Sequence, residues 1–232
     1  RCIGQNKLKY PAHKSLISGC ITMKFIATDV ADSTEKLIGK ANAQLLKSGF
    51  AMDPYFYRSH VAYQAELENV IFKSWIYAGH ISQIPQPGDY FLFDIGEDSI
   101  IISRNNKGDI GAMHNVCRHR GARVCEESSG NRKAFICPYH GWAYGNDGSL
   151  KSAREMDQLE GFKCSDYALK KVRFVIFHGL IFINCDPNAP DFKAPLENIT
   201  TQLGAYDLEN AKIAERKTYR INANWKLCLE NY

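Results

Sequence analysis

The sequence predicts an α+β chain, mainly antiparallel β, and three observations predict it. Runs rich in β-branched and aromatic residues, Tyr90 to Ile95, Ser99 to Arg104 and Ile110 to Val116, are separated by short turns. Helical patterning is confined to the flanks of this region. Two short segments that each pair a cysteine with a histidine, Cys117-Arg-His119 and Cys137-Pro-Tyr-His140, sit at the ends of predicted strands.

In chain order, a helix is expected around Glu35 to Lys47, ended by Gly49, with a turn at Asp53-Pro54. Ser59 is placed to cap a helix from His60 to Ser74 that carries Leu67, Val70 and Ile71 on one face. Tyr77-Ala-Gly-His80 and Ser82 to Tyr90 mark the entry to the β region. Asn105 to Asp109 turns the second strand into the third, which delivers the chain into Cys117. Ala134 to Cys137 and Trp142 to Tyr144 read as hairpin arms around the second Cys/His segment, followed by a turn at Asn146-Asp-Gly148. Val172 to Phe177 and Leu180 to Asn184 form a further strand pair, broken at His178-Gly179. The run Asp186-Pro-Asn-Ala-Pro190 closes the β region and is the clearest boundary in the chain. Beyond it a helix is expected over Pro195 to Leu203 and a strand over Ile213 to Ile221.

Composition excludes several classes. With 45% hydrophobic and 23% charged residues over 232 positions, the chain has material for one good-sized core or a domain and a half. A net charge of +4, with lysines and arginines not massed on one predicted face, argues against nucleic acid as a partner. No apolar run approaches the roughly eighteen residues of a membrane span, and no leader pattern appears, so a cytoplasmic protein is expected. Cys2, Cys20, Cys125, Cys164, Cys185 and Cys228 are scattered and read as reduced structural thiols, with Cys125 notable for lying on the first Cys/His loop. The chain begins at Arg1, and Met23 is its first methionine, so residues 1 to 22 are read as upstream sequence or an extension.

The two mixed segments carry the chemistry. Cys117, His119, Cys137 and His140 offer two thiolates and two imidazoles, the set that holds a two-iron, two-sulfide cluster of the histidine-ligated kind. A structural zinc site is the alternative, although zinc modules usually pair like ligands within each half. Gly121 and Gly141 lie shortly after the histidines, where tight loops need freedom, and Pro138 stiffens the second loop. Arg118, Arg120 and Arg123 crowd the first loop. They are placed either to attract an acidic electron donor or to hydrogen-bond backbone carbonyls and counter Glu126 and Glu127.

The words Cys117-Arg-His-Arg-Gly and Cys137-Pro-Tyr-His-Gly-Trp resemble the Rieske domain of ring-hydroxylating-type oxygenase α-subunits. The respiratory Rieske proteins are less similar: their extra loop cysteines would fall at Ala122 and Tyr139, and Trp142 stands where they carry a serine. Asn224-Trp-Lys226 and Glu230-Asn-Tyr232 are also similar to words of those α-subunits, where they open a helix leading to a mononuclear iron. The resemblance implies a Rieske β-sandwich over residues 77–188. It assigns residues 55–76 and 189–232 to parts of an α+β catalytic domain, and residues 1–54 to an extension. It further implies a [2Fe-2S] cluster on Cys117, His119, Cys137 and His140, and a mononuclear Fe(II) whose ligands follow Tyr232. A flavin/NAD(P)H reductase, with or without a ferredoxin, would supply electrons, and the whole protein would be a homotrimer with electrons crossing between subunits. Ser149 to Met156 and Cys228 to Tyr232 look most like the branch acting on quaternary amines, with aromatic-ring hydroxylation as the alternative. A free-standing Rieske ferredoxin, which would lack the helical lead-in and the Asn224-Trp-Lys226 tail, is the other reading.

Overall fold

The run Ser99-Ile-Ile-Ile-Ser103 shows no polar alternation, as expected of a strand buried on both faces. It forms β3 (Asp98–Arg104), an inner strand of a four-stranded antiparallel sheet with β2 (Asp89–Ile95), β4 (Ile110–His114) and β5 (Ser129–Asn131), in the order β4-β3-β2-β5. Side chains alternate across a strand. Ile101 and Tyr90 therefore face one core with Met113, Phe135 and Tyr144, while Ile100, Ile102 and Phe91 face a second core with Ile84, Ile181 and Ile183.

This computed structural model describes residues 32–47, 49–156, 158–192, 200 and 202–231. The expectations for Cys2, Cys20, Met23, Tyr232 and most of the Pro195 to Leu203 helix lie outside the described residues. Two smaller antiparallel sheets complete three layers. One is β6 (Ala134–Ile136), β7 (Ala143–Gly145) and β8 (Leu150–Ser152); the other places β10 (Leu180–Asn184) between β1 (Ile76–His80) and β9 (Arg173–Phe177). The Asn105 side chain ties the β3–β4 turn by accepting from the Lys107 and Asp109 amides at 2.8 and 3.0 Å.

The helical flanks carry the larger departures from expectation. Helix α1 (Thr34–Leu45) is capped by Ser33, α2 is Tyr55–Arg58, and Ser59 caps α3 (His60–Glu66) by accepting from the Ala62 amide at 2.9 Å. The expected continuous helix to Ser74 instead widens into a π-turn over Leu67–Ile71. The wider turn rotates the following side chains, so Leu67 is buried while Val70 is 49% exposed and does not share its face. The strand expected over Ile213 to Ile221 does not form. That stretch joins no ladder among the described residues, and Ile213, Tyr219 and Ile221 are exposed. Helix α4 (Trp225–Glu230) ends the described chain, capped by Asn224.

Docking of α1 carries a pH signature. Lys40 Nζ lies 2.7 Å from the Asp53 carboxylate, which also accepts from the Tyr55 amide, and the Lys40 bond holds the Asp53 carboxyl below the usual carboxylate range. A depressed carboxyl contributes stability that is present above its unfolded pKa and lost as pH falls through its folded value. The protection of α1 amides, taken as the ratio of intrinsic to observed exchange rate, is expected to fall as pH drops through the depressed Asp53 range. Lys40→Met should remove the Lys40 contribution to that fall, and an unaltered protection profile in the variant would refute the assignment.

Candidate metal centre

Both Cys/His segments leave a strand, turn back within six residues, and are closed by the same two backbone bonds. In the first, the Cys117 amide donates to the Ala122 carbonyl at 2.8 Å and the Gly121 amide to the Cys117 carbonyl at 3.0 Å. In the second, the Cys137 amide donates to the Trp142 carbonyl at 2.8 Å and the Gly141 amide to the Cys137 carbonyl at 3.0 Å. Gly121 and Gly141 take φ of 75° and 71°, the left-handed region that lets each loop close without a strained Cβ. The two loops are thus copies of one scaffold, although one spaces its ligands by one residue and the other by two.

The four side chains sort into two pairs. The Cys117 and Cys137 thiols are buried neighbours, 3% and 2% exposed, and burial pushes the Cys137 thiol up. His119 and His140 lie outside them, with ring centroids 4.7 Å apart. Burial, then His140 and Arg120, hold His119 below its ordinary value and so favour the neutral imidazole that can ligate a metal. Among the described residues, no three His, Cys, Asp or Glu side chains gather round one point as a single tetrahedral ion requires. Two separated pairs are what a two-iron cluster with distinct sulfur and nitrogen ends would take, so the donor set fits that group.

Two contacts to these residues were not anticipated. Tyr144, read from the sequence only as part of a hairpin arm, places its hydroxyl 3.4 Å from Cys117 Sγ, where it also accepts from the Arg118 amide at 3.0 Å. Trp142 stacks on the His119 ring with centroids 5.0 Å apart and planes 7° from parallel, and is itself packed by Phe162 and Tyr167. The hairpin alternation puts Tyr144 on the inner face, but no sequence pattern tells which atom its hydroxyl meets. Cys125 is 2% exposed with its Sγ near the Glu127 carbonyl, and Cys164, Cys185 and Cys228 are free thiols away from the pairs.

Two clefts flank the imidazoles. One of about 490 Å³ is lined by His114, Val116, Arg118, His119, Arg120 and Lys170. The other, about 560 Å³, is lined by His119, Tyr139, His140, Trp142, Arg154 and Glu155. Arg123 reaches Asp94 at 3.8 Å and Arg132 pairs with Glu127, whereas Arg118 and Arg120 form no ion pair among the described residues. The reading in which all three loop arginines counter Glu126 and Glu127 is therefore not what the side chains do.

Residues 74–163 match the family described as the Rieske [2Fe-2S] domain. The chain is similar to the glycine betaine monooxygenase oxygenase subunit of Pseudomonas aeruginosa (37% identical over 198 residues, 83% of this chain and 45% of the relative). It is equally similar to the chlorobenzene dioxygenase subunit alpha of Cupriavidus sp. (38% over 187 residues, 78% and 41%). Among solved structures, the quaternary ammonium Rieske monooxygenase CntA in complex with gamma-butyrobetaine superposes with a TM-score of 0.71 at 32% identity, over 77% of this chain and 52% of that one. The chain spans about half the length of the relatives it matches. Residues 74–163 are a Rieske [2Fe-2S] domain, and the homologues of the chain that carries it are oxygenase subunits.

Proposed function

We propose that this chain is the electron-accepting portion of a Rieske oxygenase, with Cys117, His119, Cys137 and His140 as the cluster ligands. The observation that carries the reading is the division of these residues into a buried sulfur pair and an outward imidazole pair on two identically closed loops. When bound, a cluster of this kind supplies reversible electron transfer at a potential above that of all-cysteine clusters. Trp142, Phe162 and Tyr167 exclude water on the His119 side, and Tyr144 directs its hydroxyl toward the Cys117 sulfur, a bond that favours the reduced state. Arg118, Arg120 and Lys170 make the first cleft cationic, which suits a carboxylate-bearing reductase or ferredoxin. The second cleft, on the other side of His119, suits a neighbouring subunit of a homotrimer.

In this reading residues 77–188 are the cluster domain, residues 55–76 and 189–232 belong to the catalytic part, and residues 1–54 are an extension. Oxygenation is the work of the whole protein, at a mononuclear Fe(II) held by two histidines and a carboxylate with positions open to dioxygen. A cytoplasmic setting, where reduced nicotinamide is available, fits this role, and among the described residues no helix is long and apolar enough to cross a membrane. The proposed substrate class is a quaternary amine, supported by the betaine and CntA relatives; the chlorobenzene relative favours an aromatic ring as the second reading. Counting metal against acid-labile sulfide tests the cofactor, with two irons and two sulfides expected in the cluster. Zinc without sulfide would overturn it. Oxygen uptake by the whole protein with a reductase, compared between glycine betaine and benzene, then decides the substrate class.

A further inference from the structure

Asn115 directly follows β4, two residues before Cys117, and has no exposed surface. A polar side chain in that setting must satisfy its hydrogen-bonding groups internally. Its Oδ1 accepts from the Val124 amide at 3.0 Å and the Cys125 amide at 2.9 Å. Its Nδ2 donates to the Cys125 carbonyl at 2.6 Å and approaches Ser99 Oγ at 3.3 Å. The Asn115 amide donates to the Ser99 carbonyl at 2.8 Å, fixing the same residue to β3.

The side-chain amide therefore pairs with Cys125 at both backbone groups, as a neighbouring strand would. It closes the base of the loop that runs from Cys117 through His119 to Val124, a stretch that joins no strand ladder. Only asparagine supplies donor and acceptor at this reach: aspartate lacks the donor, and glutamine carries a methylene for which a side chain with no exposed surface leaves no room. The second loop needs no such clamp, because β6 and β7 pair directly on either side of it.

The geometry points to Asn115 as a positioning residue for the cluster: its carboxamide holds the first loop in the ligating shape and so sets how firmly Cys117 and His119 retain the bound group. This inference rests on the proposed cluster ligands. It predicts that folded variants at position 115 hold the cluster less firmly than the parent. Replacing partners that orient metal ligands typically lowers metal affinity by about 10- to 100-fold.

The test uses reconstituted protein and follows cluster release to a ferrous chelator by visible absorbance, with electron paramagnetic resonance of the reduced form. Asn115→Ala should release the cluster at least about 10-fold faster, with altered g-values. Asn115→Asp, which keeps the acceptor, should fall between Asn115→Ala and the parent. Far-UV circular dichroism monitors folding. If Asn115→Ala does not fold, Asn115→Asp decides alone, and a parental release rate and spectrum in the folded variant would overturn the inference. A parent protein that takes up no cluster would instead overturn the ligand assignment, so the two failures are distinguishable.

Discussion

Cys137→Ser is expected to lose nearly all of the iron-sulfide chromophore, whereas His119→Cys should keep it at a much lower potential. The thiolate is the metal-binding form of cysteine, and a serine hydroxyl does not ionise to replace it near neutral pH. Cys137 is buried against Cys117 and held as a neutral thiol by its surroundings, so uptake must displace a proton that serine would keep. His119→Cys is different because the new side chain can still donate. Exchanging imidazole for thiolate adds negative charge, and the gap between histidine-ligated and all-cysteine clusters is on the order of a few hundred mV. The replacement also removes the ring that stacks on Trp142, so part of the chromophore is expected to be lost on storage. Labile sulfide, visible spectra and a redox titration check both variants. An unchanged midpoint in His119→Cys would remove His119 from the ligand set.

The contrast between these variants reflects what the sequence made legible. Ligand chemistry is written in residue type, so two cysteines and two histidines in mixed pairs read as a cluster set from the sequence alone. The central strands were equally plain, because Ser99 to Ser103 and Ile110 to Met113 carry their burial in their own pattern. Short strands such as Ser129–Asn131 and Leu150–Ser152 were not legible, since three polar or mixed residues show no period and pair only because neighbouring sheets present an open edge. Asn115 and Tyr144 were hidden for a related reason. Each acts through backbone or sulfur atoms brought near by tertiary closure, and nothing local marks such a partner. The Ile213 to Ile221 expectation failed in the opposite direction: β-branched and aromatic residues (Ile213, Thr218, Tyr219, Ile221) suggest a strand, but a strand also requires a partner ladder.

Glu66→Gln is expected to release α4 from the helical flank. The Glu66 carboxylate receives Lys226 Nζ at 2.7 and 2.8 Å and Trp225 Nε1 at 3.1 Å, joining residues about 160 positions apart, and the paired side chains are only 19% and 10% exposed. Lys226 also lies over the Tyr57 and Trp225 rings, and Tyr57 donates to Glu230 at 2.7 Å. Glutamine keeps the shape and removes the charge, leaving a shielded ammonium without its counter-ion. Breaking a buried pair in this way costs about 3–5 kcal/mol, enough to shift a docking equilibrium by about 100-fold or more. Because α4 spans only Trp225–Glu230 and exposes Leu227 and Leu229, undocking rehydrates Lys226 more cheaply than global unfolding does. The loss should therefore appear as trypsin cleavage after Lys226 at least about tenfold faster than in the parent, with the β-sheet circular dichroism unaltered. Tyr57→Phe, which removes one exposed hydrogen bond, should change cleavage far less. The double variant Glu66→Met with Lys226→Met should restore docking, since replacing both ions by apolar groups removes the uncompensated charge; its docking is read by hydrogen exchange of the α4 amides, because Lys226 is gone. Equal cleavage of Glu66→Gln and the parent would show that α4 is held by its aromatic contacts instead of by the ion pair.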